Sequence, residues 1–169
     1  NCARLKSIEI PDNVNEINWK TFSGCSSLTN IVIPSSVKIV ESDAFKNCSS
    51  LKEVVMLEGV TEVNHAFEGC SSLTSIVIPS SVTRISLPTG ISLNNIVVNK
   101  GNKIYDSTEG CNAIVEIASK KLIKGSSSTI IPSYVTEICD YAFEGCSSLD
   151  NIEIPSSVTE IGHHAFHNC

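Results

Sequence analysis

Residues 25–48, CSSLTNIVIPSSVKIVESDAFKNC, form a phrase that recurs along the chain and decides its fold. Cysteines mark the period: intervals of 22 or 23 residues separate the first four, and 23 residues separate the last two. All five phenylalanines occupy one position of the phrase, and they are Phe22, Phe45, Phe67, Phe143 and Phe166. Five of the six prolines occupy another. Such self-similarity at a short, fixed period is typical of a protein built by stacking one repeated unit.

Each unit contains two apolar stretches that are separated by a turn. Residues 28–33 form the first stretch, which ends at Pro34 because proline cannot continue a hydrogen-bonded ladder. The serines at 35–36 favour a turn. Residues 37–40 form the second stretch, and residues 44–48 are predicted to form a short helical or 3-10 turn.

One unit is too short to bury its own apolar side chains, so stacked units must share a core. We therefore predict a solenoid over residues 1–169, a single domain of about six rungs and part of a longer chain. Strand Leu28–Ile33 is expected to pair in parallel with Leu5–Ile10 and with Leu51–Met56. At about 4.8 Å per strand, the body would be about 29 Å long.

Two units depart from the phrase. Residues 86–93 lack the Ala-Phe pair, and Gly90 stands at the cysteine position. An insertion covers about residues 99–129, where turn-forming residues separate short apolar runs. These runs are residues 104–105, 113–117 and 122–123. We predict an inserted β-hairpin or a small three-stranded element.

Composition and spacing argue against several functions. The net charge is −6 and the basic residues are scattered, which disfavours nucleic acid and anionic membrane surfaces as partners. No apolar run is long enough to cross a membrane. The chain has neither a G-x-S-x-G elbow nor a glycine-rich phosphate loop, so we expect no enzyme and no cofactor. An enzyme that depends on Cys or His remains a remote alternative.

The cysteines and histidines are the candidate reactive residues. No C-x-x-C pair exists, and equivalent cysteines on adjacent rungs would point their Cβ atoms in parallel, so we interpret the in-register cysteines as reduced and buried. Disulfides or a metal are the alternative. Cys139 is a weak candidate nucleophile. His163, His164 and His167 have a spacing that could hold a metal on a helix, but solvated turn residues are the simpler interpretation.

Valines occupy the middle, outward position of the first strand on four successive rungs, and they are Val32, Val55, Val77 and Val97. They could form an apolar contact strip on an open face, or they could reflect only the β-propensity of valine. Trp19 stands where other units have polar residues, so it is either an exposed contact or packed on a neighbouring turn. Tyr105 in the insertion is a further candidate contact.

The repeated phrase resembles the leucine-rich repeat of BspA-like surface proteins, also called the Treponema pallidum type. The insertion, with Tyr105-Asp106-Ser107 and residues 111–116, is similar to an island of bacterial members. Gly125-Ser126 departs from it where Gly-Cys is frequent, which removes a possible partner of Cys111. The resemblance implies a β-rich leucine-rich repeat solenoid of the α/β horseshoe class, with a parallel sheet on one face.

The resemblance also implies a secreted or cell-surface protein that binds host or bacterial surface proteins or extracellular matrix. It brings no catalytic residues. A further possible partner is a second copy of the chain, through exposed repeat ends. The alternative function is a spacer that displays another domain.

Overall fold

The computed structural model describes residues 2–107 and 110–169, which form thirteen short strands and no α-helix. The strands are β1 (Glu16–Ile17), β2 (Asn30–Ile33), β3 (Ile39–Val40), β4 (Glu53–Met56), β5 (Glu62–Asn64), β6 (Ser75–Ile78), β7 (Arg84–Ser86), β8 (Asn95–Val98), β9 (Tyr105–Asp106), β10 (Ile114–Glu116), β11 (Lys121–Lys124), β12 (Glu137–Ile138) and β13 (Glu160–Ile161). The chain is therefore a β-solenoid.

Two parallel sheets form the N-terminal part of the solenoid. Strands β2, β4, β6 and β8 pair in that order and are called the front sheet, and β1, β3, β5 and β7 form the back sheet. The predicted pairing of the 28–33 stretch with 51–56 is confirmed, with Asn30 opposite Glu53. The predicted pairing with Leu5–Ile10 is wrong, because residues 5–10 form no strand and reach Thr29 through one long hydrogen bond of 3.5 Å. This outermost stretch is mostly exposed, so little apolar burial stabilises it as a paired strand.

The insertion is a small three-stranded element, as the sequence indicates. Strand β10 pairs antiparallel with both β9 and β11, and β11 then pairs in parallel with β12. The element thereby joins the C-terminal rungs into a third sheet, β9 to β13. Its start lies later than the predicted residue 99, because Asn102 and Tyr105 still occupy the positions that Val82 and Ile85 hold one rung earlier.

The segment after each second strand consists of turns, where a short helical or 3-10 turn was expected. The N–H groups of Ala44 and Cys48 donate to carbonyls three residues earlier, but Asp43 and Asn47 have φ near +59° and +58° and so interrupt a helical run. The residue before the cysteine needs this left-handed backbone. Glycine or asparagine, the residues that adopt it most easily, therefore stands there in the regular units, for example Gly69 and Asn168.

The apolar side chains form two separate cores. One extends from Ile10 to Ile114 and contains the stacked rings of Phe22, Phe45 and Phe67, and the other lies between Cys111 and Ala165. Strand β10 contributes to both cores, because Ile114 belongs to the first and Val115 to the second. Ser126 and Thr129 occupy the positions of Leu28 and Ile31 in the phrase and are buried. The Ser126 N–H donates to the Thr129 hydroxyl, which donates to the carbonyl of Asn112, so hydrogen bonds replace apolar packing at these two positions.

The in-register cysteines form a column that is buried in its interior and exposed at its ends. Cys25, Cys48, Cys70 and Cys146 are buried, which confirms that part of the expectation. It is wrong for Cys2 and Cys169, which lie in the outermost rungs and are exposed. Inside the column, a thiol donates to the phenylalanine carbonyl of the preceding rung. The distance from Cys48 Sγ to Phe22 O is 3.2 Å.

We expect thiol reagents to label Cys2 and Cys169 rapidly in the native protein. Cys25 and Cys146 should react only after unfolding, because burial raises the pKa of both thiols and blocks access to them. Mass spectrometry of alkylated peptides measures the order of labelling. The double variant Cys2→Ser/Cys169→Ser is the control and should lose the fast phase. Rapid native labelling of Cys48 would show that the column is not packed.

The carboxylate of Glu58 forms hydrogen bonds with residues of the following rungs. Glu58 accepts hydrogen bonds from the N–H and hydroxyl of Ser80, both at 2.9 Å, from the N–H of Ser81 and from the side chain of Asn99. These bonds, above all that from the Ser80 N–H, lower the pKa of Glu58 from 4.5 to about 2. The folded state therefore favours the ionised carboxylate.

Glu58→Gln should reduce stability more at neutral pH than in acid. The folded-state pKa lies below the unfolded value, so the contribution of Glu58 is present above pH 4.5 and is lost as the pH falls through about 2. Because Glu58 is exposed, solvent screening keeps this effect small. Urea titrations of both proteins at pH 7 and at about pH 2 measure this difference in the free energy of unfolding. A wild-type minus variant difference that does not change with pH would contradict the assignment.

Candidate functional site

The valine stripe comprises Val32, Val55, Val77 and Val97. The parallel register places Val32 opposite Val55, Val55 opposite Val77, and Val77 opposite Val97. The apolar residues on either side of each stripe residue, for example Ile31 and Ile33 or Val54 and Met56, point into the core, so period-two alternation directs the stripe outward. Val32 is 48% exposed and Val97 is 37% exposed, while the two central valines are half-buried between neighbouring side chains. The four valines therefore lie on one surface, as strand alternation predicts.

The rim of the stripe is polar and almost uncharged. The residue two positions before each valine also points outward. On the four rungs these residues are Asn30, Glu53, Ser75 and Asn95, which lie opposite one another. Beyond it lie the exposed residues Thr29, Lys52, Thr74 and Asn94. Glu53 and Lys52 are adjacent in the chain, so their opposite charges fall on the same rung. The face therefore offers apolar contact in the middle and uncharged hydrogen-bonding groups at one side.

Two further exposed apolar residues belong to this region and were not singled out from the sequence. Leu57 stands at the proline position next to the stripe and is 43% exposed. Ile130 occupies the same position of the phrase as Val32 and is 69% exposed, beyond the end of the front sheet. Both could have been predicted from their place in the phrase. Leu57 stands where other units have proline, and Ile130-Ile131-Pro132 aligns with Val32-Ile33-Pro34.

Side chains close the edge of the front sheet at β8. The carboxamide of Asn112 donates to the carbonyl of Asn94 at 2.8 Å and accepts from the N–H of Ile96 at 2.6 Å. These are the two bonds that a peptide group of a fifth strand would make. The hydroxyl of Ser107 accepts from the N–H of Val98 at 2.7 Å. These bonds protect the edge at β8 against the addition of another strand. The open face is therefore the part of the sheet that a partner could contact.

A groove of about 950 Å³ begins where the stripe ends. Val97 contributes to one side of it, and Lys100, Tyr105, Asp106 and Asn112 also line it. Tyr105 is only 5% exposed, and its hydroxyl accepts a hydrogen bond from the N–H of Ile85 at 3.2 Å. Its first role is therefore in packing, and a partner would reach only the part of the ring that borders the groove.

Trp19 lies apart from the valine stripe. It follows β1 of the back sheet and is 64% exposed, so it is not packed on a neighbouring turn. The ammonium of Lys20 lies 4.1 Å from the centroid of its ring, a cation–π contact. The structure does not combine Trp19 and the stripe into one surface.

The candidate reactive residues have ordinary structural surroundings. Burial raises the pKa of Cys139, which is opposite to what a nucleophile needs. His163, His164 and His167 are exposed, and His164 stacks on Tyr141 with ring centroids 5.5 Å apart. Within residues 2–107 and 110–169, no three metal-binding side chains are grouped to hold an ion, and no helix is long and apolar enough to span a membrane.

Comparison with known proteins matches the repeat and the fold. Residues 1–89 and 123–169 match six copies of the family model described as BspA type leucine rich repeat region. No curated protein matches the chain. Among solved structures, the pneumococcal vaccine antigen PcpA is similar with a TM-score of 0.74 and 22% identity, over 92% of this chain and 40% of that protein.

Two leucine-rich repeat proteins are also similar in structure. That of Eubacterium ventriosum has a TM-score of 0.66 at 25% identity, over 90% of this chain and 48% of that protein. That of Bacteroides ovatus has a TM-score of 0.54 at 25% identity, over 99% of this chain and 42% of that protein. The chain thus spans less than half the length of each of these three proteins.

Proposed function

Because the chain belongs to the BspA type leucine-rich repeat family, we propose that it is a protein-binding module of a cell-surface or secreted protein and that it binds through the open face of the front sheet. The proposed partners are surface proteins of a host or of other bacteria, or extracellular matrix. The proposal includes no catalytic role and no cofactor.

One observation carries the proposal: four valines lie in register on a face that nothing in the described chain covers. Exposed contiguous apolar surface is costly in a soluble protein and often marks an interaction site. The closed edge at β8 supports the face as the contact surface, because the main-chain N–H groups of Ile96 and Val98 are already bonded there.

The double variant Val55→Thr/Val77→Thr should fold normally and lose partner binding. Threonine keeps the β-branched shape but replaces a methyl group by a hydroxyl, and both positions are half-buried strand surface, so the melting temperature should change by only a few degrees. Binding to a panel of purified extracellular-matrix and bacterial surface proteins is measured by biolayer interferometry. Self-association is measured by analytical ultracentrifugation.

A matched control is Ile117→Thr/Ile161→Thr, which makes the same kind of change at residues that are 44% and 50% exposed and lie outside the front sheet. It should bind like the unmodified protein. If the valine variant binds every partner that the unmodified protein binds, with equal affinity, the stripe reflects only β-propensity, and a spacer role is favoured.

A further inference from the structure

The size of the front face restricts what can occupy it, given that the face is the binding surface proposed above. Four strands of four residues cover about 250 Å² at the usual strand and residue spacings. A specific interface between two folded proteins buries about 800 Å² on each partner. A second copy of this chain would therefore gain too little from this face alone for a stable dimer. A short segment of polypeptide fits the available area better.

Charge further restricts the occupant. The face carries one adjacent pair of opposite charges, Lys52 and Glu53, and the groove beyond Val97 carries a second balanced pair, Lys100 and Asp106. Ion pairs of the chain lie elsewhere, for example Lys46 with Glu68 at 3.0 Å and Lys121 with Glu137 at 2.6 Å. A strongly basic or acidic segment would find no complementary field on this face. The rim instead presents carboxamides and hydroxyls, which donate hydrogen bonds to uncharged carbonyl groups.

The spacing of the stripe matches one regular peptide conformation. Because the valines are in register on adjacent strands, every second rung is about 9.6 Å away, for example from Val32 to Val77. A polyproline II helix repeats every three residues, or about 9.3 Å. Two turns of an α-helix advance about 10.8 Å and alternate residues of a strand about 6.8 Å, so both fall out of step with the rungs.

The hydrogen-bonding groups of the rim point to the same conformation. A polyproline II segment has no internal hydrogen bonds, so its carbonyls are free to accept them, whereas an α-helix uses its own main chain. The carboxamide of Asn30 lies beside the first valine, and those of Asn94 and Asn95 lie beside the last. The Thr29 hydroxyl already donates to Asn30 Oδ1, and one N–H of Asn95 donates to Ser75 Oγ. The donors left for a ligand are therefore the N–H groups of Asn30 and Asn94 and the second N–H of Asn95, at the two ends of the stripe.

We propose that the front face binds an uncharged, proline-rich segment in the polyproline II conformation. The proline rings lie on the valine stripe at every second rung, and the carbonyls between them accept hydrogen bonds from the carboxamides of the rim. The groove beyond Val97 lets the segment continue past the last strand of the sheet.

Methyl NMR of the whole chain tests the proposal with decaproline as the probe. Saturable shifts are expected at the methyl groups of Val32, Val55, Val77 and Val97, and the core methyls of Val37 and Val40 should not move. Val55→Thr/Val77→Thr should weaken the binding roughly tenfold, since two apolar groups are lost from the contact. Asn30→Ala/Asn95→Ala removes rim donors without changing the stripe and should also weaken it.

Two peptides of equal length are the controls, an alternating glycine-serine peptide and an uncharged amphipathic helical peptide. Neither should shift the stripe methyls. If decaproline produces no shift at millimolar concentration, or if the helical peptide binds instead, the polyproline proposal is overturned. The proposed function would still hold if protein partners lose binding in the valine variant, and it would fall as well if they do not.

Discussion

Replacing Phe45 by alanine should lower the free energy of unfolding by about 3–5 kcal/mol, the usual cost of deleting a buried aromatic side chain. The ring is fully buried and stacks between Phe22 and Phe67, with centroid distances of 5.3 and 5.6 Å. The N–H of Phe45 is bonded to Ala66 O in the next rung, and this bond resists collapse of the turn into the cavity. Urea titration measures the loss.

The destabilisation caused by Phe45→Ala should extend to the neighbouring rungs, because each unit of a stacked solenoid is stabilised through its interfaces with the next. Hydrogen exchange should therefore speed up at the amides of Phe22 and Cys70. Amides of the second core, such as that of Phe143, should be less affected, since Phe143 packs in a different apolar cluster from Phe45.

Phe166→Ala is the matched control. Its ring contacts one other ring, that of Phe143 at 5.0 Å, and it is only partly buried. We expect about half the loss seen at Phe45. A loss below about 1 kcal/mol for Phe45→Ala would mean that the ring column does not stabilise the solenoid.

The repeated phrase was sufficient to predict the solenoid, because the same residue types recur at positions that the stack must bury. Leu28, Val37 and Phe45 are buried as their periodicity indicated. The phrase could not show where pairing stops. Residues 5–10 follow the pattern yet form no strand, because pairing also needs burial, and these residues are mostly exposed.

The insertion was the part that sequence reasoning placed least well. Asn102 falls inside the predicted insertion of about residues 99–129, although it occupies a core position of a regular rung. Its amide nitrogen donates to the carbonyls of Pro79 and Val82 on the preceding rung, and no local pattern reveals these contacts. The same limit applies to Asn112, whose side chain replaces a strand at the edge of the front sheet.

The candidate site was predictable to the extent that strand alternation dictates direction. Val32, Val55, Val77 and Val97 had to share a face once the register was known, and they do. Trp19 was chosen as an aromatic residue at a usually polar position and Tyr105 as part of the insertion, and the structure places both elsewhere: Trp19 is exposed after the back-sheet strand β1, and Tyr105 lies in the core. Residue type alone does not fix exposure, because it depends on which element covers the residue.

Asn102→Val should destabilise the protein by about 3 kcal/mol, even though valine is the usual residue at this position of the phrase. The side chain is 8% exposed, and its amide nitrogen donates to the carbonyls of Pro79 and Val82, both at 3.0 Å. Its oxygen accepts from the N–H groups of Ile104 and Tyr105, both at 2.9 Å. Valine would leave all four backbone groups, three of them in buried residues, without these partners.

The exposed rim residue Asn95 provides the control, since Asn95→Val makes the same chemical change on a solvent-facing strand position and should alter stability by less than about 0.5 kcal/mol. Urea titration compares the two variants, and hydrogen exchange should show faster exchange at the amides of Ile104 and Tyr105 in Asn102→Val. That region should loosen first, because these amides connect the rung that contains β8 to the insertion. If Asn102→Val were as stable as the unmodified protein, valine packing alone would hold this rung, and the four hydrogen bonds would contribute nothing net to the fold.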